Sequence, residues 1–178
     1  MSSPQDTIRG VHITGKHNRY MVKKITKTQP TDKMKKTTED KNLDKAWFSH
    51  DFQVEKLREN NEILISEIKT KLSSYKQQDV IKHRYEQGLF VTSEYVVNML
   101  LEADISCFYC KDEMLVLYEK SREMTQWSVD RINNDIGHNV DNIVVSCLRC
   151  NLQKKTRDSD KFLNTKQLVI KREGIDDN

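Results

Sequence analysis

The sequence lacks any apolar run near the ~18 residues that a membrane-spanning helix needs, so no transmembrane segment is expected. Its first residues, Met1-Ser-Ser-Pro-Gln-Asp, lack the basic-then-apolar layout of a secretory signal, which points to a soluble protein inside the cell, in nucleus or cytoplasm. Apolar residues are few, at 36% against 32% charged, so the 178 residues suit one modest domain with extensions rather than two large ones. Part of the chain is expected to be extended or disordered. Cysteine is confined to four positions, and no internal repeat is visible beyond the tetrapeptide they form twice.

Charge is unevenly spread. Residues 1–46 carry eleven Lys/Arg against five Asp/Glu, and residues 149–172 carry eight against two, which leaves the middle acidic although the whole chain is only +3. Positive ends suit a polyanionic partner, while a solvated basic tail has the same composition.

Organisation follows from these shifts. Residues 1–46, rich in Lys and Thr and without apolar periodicity, read as a disordered basic arm. Val11-His12-Ile13 and Tyr20-Met21-Val22 within it are short strand or partner-binding candidates. Residues 47–104 read as a helical segment, 105–157 as a small cysteine domain, and 158–178 as a C-terminal helix and tail. The spacing predicts a helix over 49–77, with Ser49 as N-cap and Asp51 in its first turn. Leu57, Leu64, Ile68 and Leu72 form one stripe interrupted by Asn61. That stripe is either a short coiled-coil seam, giving a homodimer through 49–77, or a face docked on its own domain. Further helices are expected over 78–87, stopped by Gly88, and from Ser93 to near Asp104. Beyond Ile105 the pattern predicts strands at 114–118, 127–132 and 143–146. A helix then runs from Leu148 past Lys155, with a last piece over 161–170. The fold class is α+β.

The four cysteines are Cys107-Phe-Tyr-Cys110 and Cys147-Leu-Arg-Cys150. Each CxxC puts two thiolates on one tight turn, and two such turns supply the four sulfurs of a closed tetrahedral zinc site. Two disulfides are the alternative, disfavoured in a reducing compartment. The thirty-six intervening residues are too many for a minimal knuckle and enough for a hairpin with a functional loop. A closed four-sulfur site leaves zinc no open position, so zinc here is structural. Asp130 ends an apolar strand anchored by Trp127 and Val129, and Asn151 directly follows a zinc-clamped Cys150. Two such oxygen donors, completed by water and phosphate, are a common way to hold magnesium or manganese. A strand-end turn and a helix cap are the plain alternatives for the same two residues.

This ordered set, Cys107-x-x-Cys110, Val129-Asp130-Arg131-Ile132, Gly137-His138, Asn142-Ile143-Val144-Val145, Cys147-x-x-Cys150-Asn151 and Lys154-Lys155, resembles the HNH, or ββα-metal, nucleases. The likeness is to their two-CxxC branch, which includes a phage recombination endonuclease acting on branched DNA. The run Trp127 to Asn139 is also similar to HNH-like proteins of large DNA viruses and mobile elements. The resemblance spans about fifty residues. It implies a zinc-stapled ββα-metal domain, a DNA substrate, and a catalytic Mg or Mn ion held by Asp130 and Asn151, with Asn142 bracing the loop between the strands. The family's general base is a histidine directly after the aspartate, where this chain has Arg131. Arginine keeps its proton at physiological pH and cannot activate water, although it can grip a phosphate. His138 is the candidate replacement base, with packing or phosphate contact as its other explanation. His12, His17, His50 and His83 have no metal-ligand spacing. Arg149, Lys154, Lys155 and Arg157 form a basic set beside Asn151, suited to phosphate contacts or to a solvated face.

Three functions stay open: a metal-dependent DNA endonuclease, a nucleic-acid-binding module with catalysis lost, for which Arg131 argues, and a zinc-stapled interaction protein held by its helical segment.

Overall fold

The computed structural model describes residues 43–168 together with the single residue Gly15; most of the basic arm (residues 1–42) and the tail beyond 168 lie outside the described residues, as do His12, His17 and the two short segments around Ile13 and Met21. The described fold is mixed α+β, with five α-helices and one two-stranded sheet.

A 3-10 turn, Lys45–Phe48, leads into α1 (His50–Arg58) and α2 (Glu62–Ile81). The single helix expected over 49–77 is therefore two. Asn60 takes a left-handed φ of 55°, and Asn61 caps α2 by accepting from the Ile63 amide at 3.0 Å. Asparagine tolerates both roles because its short amide bonds to nearby backbone. Ser49 does occupy the N-cap of α1, but its hydroxyl makes no cap bond. Leu57, Leu64, Ile68 and Leu72 are all buried in the chain's own core, so the stripe offers no free seam among the described residues. α2 extends to Ile81, and no helix forms over 82–92. Thr92 caps α3 (Ser93–Glu102), whose Val96, Val97 and Leu100 join the same core.

The stretch 114–118 is mostly buried but is not a strand, since the chain bends at Val116 and Leu117. Its backbone is held by a side chain instead. Gln53 of α1, wholly buried, accepts from the Val116 and Leu117 amides at 2.7 and 3.0 Å and donates to the carbonyls of Leu117 and Trp47 at 2.8 and 2.7 Å. Only an isolated bridge joins Leu115 to Gln126.

β1 (Trp127–Arg131) and β2 (Ile143–Cys147) pair antiparallel, Trp127 opposite Cys147 and Arg131 opposite Ile143. α4 (Leu148–Lys154) starts immediately after β2, and α5 (Ser159–Gln167) follows with Asp158 as its cap. One continuous core runs from Val54 to Phe162, so helices α1–α3 and the cysteine region bury apolar surface against each other. An open strand edge would expose unpaired backbone. The outer edge of β1 is closed by side chains: Lys71 donates to the Trp127 carbonyl, Tyr75 accepts from the Val129 amide at 3.3 Å, Asn151 donates to the Val129 carbonyl at 3.3 Å, and Lys154 donates to the Arg131 carbonyl at 2.6 Å.

Candidate functional site

The first cysteine turn is fixed by its own backbone, the Cys107 amide bonding the Asp112 carbonyl and the Lys111 amide the Cys107 carbonyl, both at 2.9 Å. The Phe108 amide then bonds the Val145 carbonyl at 2.9 Å, which lays this turn against β2. The second turn is the β2–α4 junction itself, where the Cys150 amide donates to the Cys147 sulfur at 3.4 Å. The four Sγ atoms lie within 4.8 Å of one another, Cys110 and Cys147 at 3.9 Å. A tetrahedron with Zn–S near 2.3 Å has sulfur–sulfur edges of about 3.8 Å, so the arrangement fits an ion such as zinc. All four cysteines are free, and no other group of three or more His, Cys, Asp or Glu among the described residues could hold a metal.

The charges tell the same story. A hydrogen bond from Cys147 pulls the Cys107 thiol far below its ordinary range. The return of that bond, with burial, pushes Cys147 up, and burial together with the Cys107 charge pushes Cys150 up. The Cys107 thiolate thus suppresses those of Cys147 and Cys150, a conflict that a divalent cation at the centre removes.

Two residues adjoining these cysteines carry the cysteine frame into the β1–α4 interface. Tyr109, between Cys107 and Cys110, donates its hydroxyl to Asp130 Oδ2 at 2.6 Å. Burial first, and then this bond to Asp130, keeps the phenol protonated. Asn151, next to Cys150, donates through Nδ2 to Ser128 Oγ at 3.1 Å and to the Val129 carbonyl. Ser128 and Asp130 share one face of β1 by strand alternation, and Asn151 and Lys154 share one face of α4 by helical spacing. Asp130 is buried, and its Oδ2 also lies 3.1 Å from Nζ of Lys154, which is wholly buried. Asp130 Oδ1 and Asn151 Oδ1 take no hydrogen bond from the described residues.

The remaining candidates occupy the loop between the strands and its surroundings. Asn142 braces that loop, accepting from the Asn133 amide at 2.9 Å and donating to the carbonyls of Asn133 and Gly137 at 3.0 and 2.9 Å. His138 is buried, stacked on Tyr75 with centroids 4.7 Å apart, and held through Nδ1 by Asp79 Oδ2 at 2.9 Å. Burial lowers its pKa, opposed by Asp79, and the ring is neutral near pH 7. Arg131 donates to the Ile136 carbonyl at 3.1 Å and lies 3.8 Å from Asp79 Oδ1. Burial lowers its pKa, yet a guanidinium stays charged.

The basic set divides. Arg157 is exposed beside a cleft of about 980 Å³ that Arg131 also lines, and Lys155 is exposed at the end of α4. Lys154 is turned inward onto Asp130. Arg149 is turned to the first cysteine turn, where it pairs with Asp112 and approaches the Cys110 sulfur at 4.0 Å. His50 bonds the Asp104 carbonyl at 2.9 Å and His83 is exposed.

Sequence reasoning missed Asp79, Tyr109 and the inward turn of Lys154. Asp79 carried a faint signal, a lone carboxylate among apolar Val80 and Ile81, while nothing local distinguishes Tyr109 from a packing aromatic. Comparison with protein-family models, with curated proteins and with solved structures finds no match to this chain.

Proposed function

We propose that residues 105–157 form an HNH-like, zinc-stapled ββα-metal module and that the chain is a metal-dependent endonuclease hydrolysing DNA phosphodiester bonds. One observation carries this reading: Asp130 and Asn151, each next in space or sequence to a zinc cysteine turn, face one strand–helix interface with one oxygen apiece unused. Asp130 Oδ1 and Asn151 Oδ1 are the atoms that would hold a magnesium or manganese ion, which when bound would offset charge on the scissile phosphate and the departing oxygen. His138 serves as the base. With Nδ1–H given to Asp79, its Nε2 is the nitrogen that accepts a proton from water. Arg131, tied to Ile136 and Asp79, stays a cation at the cleft floor and neutralises phosphate rather than moving protons.

Lys154 favours a second reading. Its buried ammonium already neutralises Asp130, as a metal would. In that reading the module grips nucleic acid and the chemistry is lost.

Nicking of supercoiled plasmid in magnesium or manganese, wild type beside Asp130→Asn, separates the two. Metal-dependent nicking by the wild type, lost in a folded and zinc-loaded variant, supports the nuclease. Retarded DNA without nicking supports the binding module. Neither signal would refute both and leave the zinc-stapled interaction protein.

A further inference from the structure

The cleft that Arg131 lines is not built by the cysteine domain alone. One wall comes from the C-terminal turn of α2, where Lys82 and Arg84 stand, and the other from Arg157 beyond α4, with Arg131 between them. Four cations face it against two carboxylates, Asp135 and Asp158, and the latter is occupied in capping α5 through the Lys161 amide at 3.0 Å. The guanidinium of Arg84 is near enough to that of Arg131 to disfavour its charge. Like charges held together in a cleft favour an anion between them.

The α2 turn is locked in place by two contacts to the loop between the strands. A Cβ on Gly137 would lie 2.4 Å from the Arg84 carbonyl, so only glycine lets the strand–strand loop lie against that turn. One turn earlier, Asp79 Oδ2 takes both the backbone amide and Nδ1 of His138, at 2.7 and 2.9 Å. The helical segment is thereby bolted to the loop that follows Arg131, which sets Lys82 and Arg84 on the same cleft as Arg131.

We infer that the end of α2 is part of the nucleic-acid interface: Lys82 and Arg84 bind the phosphate backbone of a DNA strand that lies in this cleft, between them and Arg157 and over Arg131. The inference deepens the proposed function and rests on it. It assigns the helical segment a direct part in substrate binding, and it takes Arg149, facing the zinc turn, out of that part.

The test is fluorescence anisotropy of the full zinc-loaded chain with a labelled duplex and a labelled four-way junction, across about 50–300 mM salt. Lys82→Gln and Arg157→Gln, both at exposed positions, are compared with Lys69→Gln, an equal charge change at an exposed position of α2 outside the cleft. Each cleft variant is expected to weaken binding about 3- to 10-fold near 100 mM salt and to flatten the log–log salt slope by about one, with Lys69→Gln near wild type. Wild-type binding that Lys82→Gln leaves unchanged, or that Lys69→Gln weakens as much, overturns the cleft assignment and leaves the proposed function standing. No binding by the wild type at any salt overturns both.

Discussion

The cysteine turns and the Asp130–Asn151 interface lie side by side and are built on opposite principles. The first is four identical soft ligands on two short turns, each turn specified by its own tetrapeptide although the two lie thirty-six residues apart. The second is a mixed set, a carboxylate, an amide, an ammonium and a phenol, drawn from a strand, a helix and the first cysteine turn, with the neighbouring base candidate held by a fourth element, α2. Local chemistry specifies the first, whereas only the packing of elements far apart in sequence specifies the second. The same contrast separates what each tolerates: a closed sulfur site fails outright when its ion is withdrawn, while a mixed polar interface can lose a member and be repaired by changing the partner.

The sharpest way to break the comparison is to remove the metal. Chelation should cost on the order of 10 kcal/mol of folding free energy and loosen residues 105–157 first, as read by hydrogen exchange. Exchange that is unchanged after complete metal removal would show that the cysteine turns stand by their own packing.

Next in size is the buried pair Asp130–Lys154. Either Asp130→Asn or Lys154→Met alone should destabilise the fold by about 3–5 kcal/mol, because each strands a charge of the other sign in the interior. The double variant should recover much of that loss, giving a coupling of at least about 2 kcal/mol in a denaturant cycle. Additive losses would mean that the two groups are not paired in solution. Lys154→Met should also tighten manganese binding at Asp130 if the nuclease reading holds.

The smallest effect concerns His138. Its folded pKa is lowered below the ordinary value near 6.5, chiefly by burial. The unfolded chain therefore binds a proton at higher pH than the folded one. The stability contributed by the buried neutral ring is full above about pH 6.5 and is lost as pH falls from there through the folded pKa. Urea midpoints at pH 7.5, 6.5 and 5.5 should fall along that series, and His138→Gln should flatten the fall. An identical decline in the variant would place the titrating group elsewhere.

How much was legible depended on where each signal was stored. The strands at 127–131 and 143–147 were readable because their apolar and β-branched residues sit together in sequence. The break at Asn60–Asn61 was not, because Asn61 falls on the apolar stripe and mimics a seam position, although a pair of asparagines before Glu62 is a turn and a cap in compact form. The stretch 114–118 has strand composition, yet Gln53, more than sixty residues away, takes the hydrogen bonds a neighbouring strand would have made. Lys154 was read as a surface cation because lysine is seldom wholly buried; its burial follows from Asp130 and the Arg131 carbonyl waiting across the interface.

From its residues alone this chain determined an α+β unit and a four-sulfur cluster able to hold an ion such as zinc, since thiol spacing and apolar periodicity are local properties that need no partner to be read. The tertiary structure alone decided that Tyr109 and Lys154 converge on Asp130, that Asp79 holds His138, and that the end of α2 walls the cleft. Those contacts join elements separated by twenty to sixty residues, and their free energy exists only once the shared core has brought the elements together.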